Sequence, residues 1–333
     1  MIKKPTAANI SKAAALLRDG KLVAFPTETV YGLGANALDS KAVWKIFSAK
    51  KRPLFDPLIV HVSDIGMLKE MGVVLDKRAE RLASRFWPGP LTLIVKRPEC
   101  VPRLVTSGLE TMAIRIPDHP VALKLIRAAG VPVAAPSANP FGYLSPVTAL
   151  HVEEQLGKRI PMILDGGSCR VGLESTILDI TRNPPVILRP GGITVDDISK
   201  YEGPIRHQKG KGKPSAPGQL KSHYAPLKPL VLLRRHAFLK KMKEAIKKFQ
   251  AAAFLAICPV PLKKPAQISF LSLSKKGDLK EASKNLFHHL HALDRTEATI
   301  IYAEKPSSRG MGLALVDRLT RASQKRNRRQ HRG

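Results

Sequence analysis

Short apolar runs alternate with helical patterns through residues 1–202, and this alternation restricts the fold more than any other feature of the sequence. The runs are rich in Val, Ile and Leu and are bounded by turn residues, which is typical of buried strands. They occupy 21–25, 57–62, 91–96, 112–117, 131–136, 161–165 and 176–180. Apolar residues recur at helical spacing over 40–49, 76–86, 120–129 and 147–156. Because strands that alternate with helices form α/β sheets, we predict an α/β domain over 1–202 in which mixed strand directions are possible.

The pattern stops at 203–229, which is rich in Gly, Pro, Lys and Ser and which we interpret as an interdomain linker that also acts as a lid. It resumes beyond 229 with apolar runs and amphipathic helices. The runs are 230–235, 253–258 and 299–304, and the helices are 237–249, 278–293 and 312–323. We therefore predict a smaller, Rossmann-like α/β domain over 230–324, followed by a basic tail over 325–333.

The formal net charge of +30 is unevenly distributed along the chain. Residues 1–202 carry 27 basic and 19 acidic groups, whereas residues 203–333 carry 29 basic and 7 acidic groups. Such an excess favours polyanionic partners. A solvated basic surface explains it equally well, since no RNA-binding motif with interleaved aromatic residues is present.

Cysteine usage and hydropathy exclude other classes. Three isolated cysteines without a CxxC pair favour neither a disulfide framework nor a zinc site, and they suit a reducing compartment. The longest apolar run, 251–258, is far shorter than the roughly 20 residues that a bilayer requires. Residues 1–20 lack the apolar centre of a signal peptide. We expect a cytoplasmic protein with no membrane partner.

Polar residues cluster in four irregular segments at strand ends, where α/β proteins bind ligands. The segments are 26–37, 48–61, 131–146 and 165–194, with Thr27, Thr29, Lys50, Lys51, Arg52, His61, Ser137, Asn139, Ser175 and Arg189. Each group also has a plain interpretation as a turn, a solvated charge run or a core histidine. Arg115 lies inside an apolar strand, a costly position for a cation unless it finds an anion.

Sequence motifs of common enzyme classes are missing. No GxxxxGK[ST] loop and no GxSxG elbow are present. Gly32-x-Gly34-x-x-Ala37 is a weak match to a dinucleotide fingerprint, because the glycines begin seven residues after the strand.

Taken together, the segments resemble the YrdC/Sua5 family of threonylcarbamoyl-AMP synthases in its long, two-domain form. The resemblance is carried by FPTETVYGLG, Lys50-x-Arg52 with DPLIVH, AIRIPDHP, PSAN, LESTILD and LRPGG. It continues through SAPGQLKSHYAP at 215–226 and AEKPSSRGMGLALVDRLTRAS at 303–323. It implies a twisted mixed-sheet YrdC-like domain followed by the smaller domain.

The resemblance also implies an activity and a set of binding residues. The family makes L-threonylcarbamoyladenylate and pyrophosphate from L-threonine, bicarbonate and ATP, for the N6-threonylcarbamoyladenosine modification of tRNA. The residues that would bind threonine are Thr29, His61, Arg115 and Ser175. Those that would bind the nucleotide are Lys50, Arg52, Asp56, Thr111, Ser137, Asn139, Ser145, Arg189, His223 and Tyr224, with Lys50 and Arg52 also catalytic. No protein metal site is expected, and Mg²⁺ would arrive on the ATP phosphates.

Two positions depart from the family pattern. Lys51 stands where the family commonly has Gly, and Asp56 stands where it commonly has Asn. A carboxylate at 56 adds negative charge beside a triphosphate unless it faces Mg²⁺ or a neighbouring base.

Expected partners are the tRNA threonylcarbamoyl transferase that receives the product and tRNA at the basic C-terminal region. The alternative function is a non-catalytic tRNA- or RNA-binding accessory protein. A carbamoyltransferase related to hydrogenase maturation factors fits less well, because its zinc-finger cysteines are missing.

Overall fold

Two compact units make up this computed structural model, which describes residues 1–208, 215–262 and 265–324. The first unit contains 1–141, 146–170 and the described part of 174–219. The second contains 142–145, 171–173 and the described residues from 220 onward. The division therefore falls inside the stretch that we interpreted as a linker, and two short segments of the predicted first domain belong to the second unit. The lysines at 209, 211 and 213 and the basic tail lie outside the described residues.

The first unit is built on an eleven-stranded sheet among its described residues. In chain order the strands are β1 (Ile2–Lys3), β2 (Val23–Phe25), β3 (Gly32–Asn36), β4 (Ile59–His61), β5 (Leu91–Lys96), β6 (Thr111–Arg115), β7 (Val133–Ala134), β8 (Met162–Leu164), β9 (Thr176–Asp179), β10 (Val186–Arg189) and β11 (Arg206–His207). Their spatial order is β1-β8-β2-β3-β7-β4-β6-β5-β9-β10-β11. Parallel and antiparallel pairs alternate across the centre, so the sheet is mixed, as predicted.

Seven helices accompany this sheet in the described part of the first unit. They are α1 (Ala7–Arg18), α2 (Ser40–Lys50), α3 (Ile65–Glu70), α4 (Lys77–Phe86), α5 (Pro120–Ala129), α6 (Ala149–Leu156) and α7 (Val195–Glu202). A Thr, Asp or His side chain caps the first turn of each helix by accepting a backbone N–H. The apolar faces of α1 and α5 pack on β2, β7 and β8, where Leu17, Leu125 and Phe25 are fully buried.

The β3 strand was not predicted, because its sequence, GLGAN, lacks the β-branched residues that mark strands. It pairs antiparallel with β2 and is buried. A Cβ at Gly34 would lie 2.8 Å from both the Phe25 ring and Val133. These neighbours fill the space that a side chain would need, so tertiary packing explains a glycine-rich strand here.

The second unit is a four-stranded parallel sheet with three helices in its described residues. In chain order the elements are β12 (Leu230–Leu233), α8 (Arg235–Lys247), β13 (Ala252–Ala256), β14 (Ile268–Ser272), α9 (Leu279–Asp294), β15 (Ile301–Glu304) and α10 (Gly312–Ala322). The strand order is β12-β15-β13-β14, and in its core Phe254 stacks on Tyr302 and contacts Phe238 edge-on. The β14 strand, which we did not predict, is a half-buried edge strand with a weak apolar signal.

No helix in the described ranges is both long and apolar enough to cross a membrane.

Candidate active site

Strand register brings the predicted polar side chains to one edge of the large sheet. In the parallel pair β4 and β6, His61 lies level with Arg115, and both strands end there. The β5 strand runs antiparallel to β6 and begins at the same edge, as does β9, which is parallel to β5. The β10 strand runs back and ends there at Arg189, which lies opposite Ile177. Paired residues point to the same face, so His61, Arg115, Thr92 and Arg189 share one face at one edge.

Arg115 is buried and held by the turn that follows β2. Its Nη1 donates to the Thr29 hydroxyl at 3.1 Å, and its Nη2 lies 2.6 Å from the Glu28 carboxylate. Thr27 fixes this turn, since its hydroxyl oxygen accepts from the backbone N–H groups of Thr29 and Val30. Glu28 was not among the predicted site residues, because a carboxylate in a loop is usually exposed.

The His61 imidazole is buried beside Arg115 and contacts the Phe25 ring edge-on, with 6.3 Å between the ring centroids. Burial first, and the nearby Arg115 charge second, lower the pKa of His61 to about 3. His61 is therefore neutral at physiological pH. It contributes hydrogen-bonding nitrogens to the site rather than charge.

Arg189 is held by Ser175, the residue just before β9. Its Nε and Nη2 donate to the Ser175 carbonyl at 3.1 and 3.0 Å, and Nη2 also reaches the Ser175 hydroxyl at 3.1 Å. The hydroxyls of Ser175 and Thr92 lie 2.7 Å apart. Thr92 lies in an apolar strand and was missed by sequence reasoning. Its alternation with Leu91 and Leu93 marks it as facing the site only once the register is known.

Lys50 is the last residue of α2, and Arg52 follows two residues later. Both side chains extend toward the same site. The Lys50 ammonium donates to the carbonyls of Ser137 and Asn139, at 2.6 Å for Ser137. Burial first, and the Arg52 charge second, lower the pKa of Lys50 well below its usual range. An anionic ligand beside Lys50 would favour its ammonium form. Lys51 is exposed and adopts φ 51°, a left-handed helix end that favours glycine.

Asp56 forms a buried ion pair with Arg52, with 2.9 Å between Oδ2 and Nη2. Arg52 also donates to the carbonyls of Asp56 and Pro57. Burial raises the pKa of the Asp56 carboxyl, and the charges of Arg52, Lys50 and Arg189 oppose that rise. Asp56 therefore faces a neighbouring basic residue, Arg52, and this pairing makes a carboxylate acceptable at position 56. The three cations that act on it lie close enough together to form one positive cluster.

A described part of the predicted linker packs on the site face of the first unit. Ala216 is fully buried in an apolar cluster with Ile59, Ile94, Ala113, Ile177, Val186 and Leu188. The Pro217 carbonyl accepts from Arg189 at 3.4 Å. Gln219 donates to the Leu188 carbonyl and accepts from the backbone N–H groups of Ser215 and Ala216. Residues 215–219 are thus attached to the sheet beside Arg189.

One predicted residue of the first unit, Thr111, lies away from this edge. Thr111 is half-buried at the far end of β6, four residues from Arg115 and so roughly 13 Å away along the strand. Ser145, His223 and Tyr224 belong to the second unit. There the Ser145 carbonyl lies 3.1 Å from His291 Nε2 of α9. Their roles toward a nucleotide stay predictions.

The first unit thus presents four buried cations, Lys50, Arg52, Arg115 and Arg189, with small hydroxyl and amide groups around them. Such a site suits a ligand with several anionic oxygens together with a small carboxylate. Among the described residues, no group of three or more His, Cys, Asp and Glu side chains could hold a metal ion.

Comparison with known proteins places the chain among characterised relatives. The Sua5/YciO/YrdC family model, described as telomere recombination, matches residues 15–191, and the model of the threonylcarbamoyl-AMP synthase C-terminal domain matches 193–324. The chain is 45% identical over 320 residues to the threonylcarbamoyl-AMP synthase of Pyrococcus abyssi, covering 93% of each. It is 43% identical over 322 residues to that of Bacillus subtilis, covering 94% of this chain and 92% of the relative.

Two solved structures are similar to this chain in fold. The crystal structure of Pyrococcus abyssi Sua5 complexed with L-threonine superimposes with a TM-score of 0.89 and 42% identity, covering 97% of this chain and 96% of that one. Escherichia coli YciO matches with a TM-score of 0.50 and 26% identity, covering 57% of this chain and 93% of YciO.

Acid should destabilise the protein in part through His61. The pKa of His61 is about 3 in the folded chain against 6.5 for an ordinary histidine, so the unfolded state binds the proton first. Stability is lost as pH falls below about 6.5, by about 1.4 kcal/mol for each unit of pKa difference. Urea unfolding across this range should show a steeper loss for the unmodified protein than for His61→Gln. Equal slopes would contradict the assignment.

Gly191→Ala should displace the backbone that carries Ser175. A Cβ there would lie 2.3 Å from the Glu174 carbonyl oxygen and 2.4 Å from the Ser175 carbonyl carbon. We expect a loss of about 1–3 kcal/mol in the free energy of unfolding, measured in urea. Gly66→Ala is the matched control, since its Cβ meets only the end of the Asp64 side chain. Similar stabilities for the two variants would show that the Gly191 contact is not restrictive.

Proposed function

Because the chain belongs to the Sua5 family of threonylcarbamoyl-AMP synthases, we propose that the cation-lined edge of its large sheet is where L-threonine and ATP react. The chain is an enzyme of the nucleotidyltransferase type that makes threonylcarbamoyl-AMP. The family, fold class and activity predicted from the motifs are confirmed. The observation that carries the proposal is the convergence of four buried cations with Ser175, Thr29 and neutral His61.

The threonine end of the site is the group around Arg115. A guanidinium can bind a carboxylate through two parallel N–H groups, which fixes both position and orientation. Thr29 and Ser175 supply hydroxyls, and neutral His61 supplies a ring nitrogen for the remaining polar groups of the amino acid. The sequence predicted that Arg115 needs an anion, and in the structure Glu28 is one such partner.

The nucleotide end is the cluster of Lys50, Arg52 and Arg189, whose charges all act at Asp56. Ser137 and Asn139 lie beside Lys50 and supply polar groups for phosphate or ribose oxygens. We assign Thr111 and Ser145 to further nucleotide contacts on the resemblance alone. Asp56 acts through its ion pair with Arg52 and not as a direct phosphate ligand.

The proposed chemistry has two steps. The threonine amine adds to bicarbonate with loss of water and gives an N-carboxylate. An oxygen of that carboxylate then attacks the α-phosphorus of ATP, the bond to the β-phosphate oxygen breaks, and pyrophosphate leaves. Both reactants are anionic, so the cations lower their repulsion, and positioning supplies much of the rate enhancement.

We further propose that Mg²⁺ enters as part of the ATP substrate. Asp56, the carboxylate nearest the phosphate-binding cations, is already paired with Arg52, so the fit is better for a metal carried on phosphate oxygens and water than for one held by a protein cage.

The product requires a receiving enzyme. Threonylcarbamoyl-AMP is a mixed anhydride, and we propose that it passes to the tRNA threonylcarbamoyl transferase in the cytoplasm for formation of N6-threonylcarbamoyladenosine. The excess of basic groups in 203–333 supports a tRNA contact by that region.

We also propose that residues 215–226 act as a lid, with His223 and Tyr224 reaching the nucleotide. The attachment of 215–219 beside Arg189 supports this. A lid would shield the carboxylated threonine and the anhydride from water.

Pyrophosphate release tests the proposed function. The unmodified protein should release pyrophosphate from ATP only when threonine and bicarbonate are both present. Arg115→Lys keeps the charge but loses the planar fork, so threonine affinity measured by calorimetry should fall at least about tenfold, or ~1.4 kcal/mol, while ATP affinity is retained. Pyrophosphate release that does not depend on threonine would favour the non-catalytic alternative.

Limited proteolysis tests the lid. ATP and threonine together should protect 215–226 from cleavage, and changing His223 and Tyr224 to Ala should weaken ATP binding. Leu227→Ala, an exposed neighbour, is the control and should change neither. Equally fast cleavage with and without ligands, together with full activity of the double variant, would make the stretch a tether.

A further inference from the structure

Glu28 is a fully buried carboxylate to which neither the family resemblance nor the proposed chemistry gives a role. Its Oε2 lies 2.6 Å from Arg115 Nη2, and the Arg115 side chain is itself only 3% exposed. Neither carboxylate oxygen has a hydrogen-bond partner among the described residues, so the contact with Arg115 is a close ion pair. A charge that is buried with one partner is costly to maintain.

A buried ion pair adds little net stability as a whole. Replacing a buried pair by well-packed apolar residues is often neutral or stabilising, because removing two charges from water offsets most of their attraction. Glu28 offsets part of the desolvation cost of Arg115, and it also fixes the geometry of the guanidinium.

The turn at 27–30 fixes that geometry from one side. Thr27 accepts two backbone N–H groups and donates to the Val30 carbonyl, which makes the turn rigid. From this turn Glu28 binds Nη2 of Arg115 and Thr29 binds Nη1. Both terminal nitrogens of the guanidinium are therefore held by adjacent residues of one segment.

The Arg115 guanidinium retains N–H donors for a ligand. A guanidinium carries five N–H groups, and the hydrogen bond to Thr29 occupies one of them, on Nη1. Nε and Nη2 of Arg115 have no hydrogen-bond acceptor among the described residues, although Nη2 lies against the Glu28 carboxylate. Because the plane of the guanidinium is fixed, the directions of its remaining donors are fixed as well.

We propose that Glu28 is a positioning residue for the amino-acid substrate: it holds the Arg115 guanidinium so that the remaining donors meet the α-carboxylate of threonine. This inference rests on the proposed function, in which Arg115 binds that carboxylate. The Arg52–Asp56 pair has the same construction at the nucleotide end, where a buried carboxylate lies 2.9 Å from a guanidinium nitrogen.

A double-mutant cycle, read by calorimetry of L-threonine binding to the full chain, tests the proposal. Glu28→Ala should raise the threonine Kd by at least about tenfold, since misplacing a binding group by about 1 Å is costly. Glu28→Gln should raise it less, because a side-chain oxygen of the same reach still lies against Nη2. In an Arg115→Ala background, Glu28→Ala should cause no further loss, because Glu28 acts through Arg115.

If Glu28 were only a counter-ion, the threonine Kd would change in the opposite direction. If Glu28 only neutralised Arg115, removing its charge would free the cation and tighten threonine binding in both single variants. A lower Kd, or an unchanged one, therefore overturns the inference. If Glu28→Ala lacks a cooperative unfolding transition, the direction of the change in threonine Kd for Glu28→Gln decides between the two roles.

Two controls separate position from stability. Glu202→Gln removes a buried carboxylate that pairs with Arg78 and Arg81, each at 3.2 Å, in α7 and α4. It should lower stability and leave the threonine Kd unchanged. ATP affinity should be the same in Glu28→Gln as in the unmodified protein. Absence of threonine binding in the unmodified protein would overturn the proposed function and the inference with it, whereas unchanged binding in Glu28→Ala overturns the inference alone.

Discussion

Buried positive charge at one edge of a sheet is the constraint on which the rest of the site depends. Each cation there is held by an internal acceptor: Lys50 by two carbonyls, Arg52 by Asp56, Arg115 by Glu28, and Arg189 by Ser175. Without those acceptors the desolvation cost of four charges would be prohibitive. With them, the basic side chains are in position before an anionic substrate arrives, so little reorganisation accompanies the reaction.

The mixed direction of the central strands makes this arrangement possible. Two strands end and one begins at the edge where His61, Arg115 and Thr92 lie, and the pair β9 and β10 adds Ser175 and Arg189. A short strand places a side chain with little freedom, because its backbone is bonded on both sides. The loops that carry Glu28, Ser137 and Asn139 then need only to meet groups already fixed by the sheet.

Sequence reasoning predicted most of the strands because their signal is local. Runs of Val, Ile and Leu bounded by turns correspond to β4, β5, β6 and β9, and the helix at 120–129 has the predicted bounds. Sequence reasoning missed β3 and β14, because their formation depends on the surrounding sheet and not on a local sequence pattern. Gly34 is required by Phe25 and Val133 from neighbouring strands, and β14 is a half-buried edge. The linker likewise divides between the two units, because Ala216 is taken into the apolar cluster of the first sheet.

The sequence by itself determined the family, the α/β class and the cationic residues, because ordered motifs and apolar periodicity are properties of neighbouring residues along the chain. Only the tertiary structure decided the partners of those cations. Glu28 lies 87 residues from Arg115 and Ser175 lies 14 from Arg189, and these pairs meet only when the loops that carry Glu28 and Ser175 pack against the sheet. The neutral state of His61 was also decided by the fold, because burial beside a cation sets its pKa.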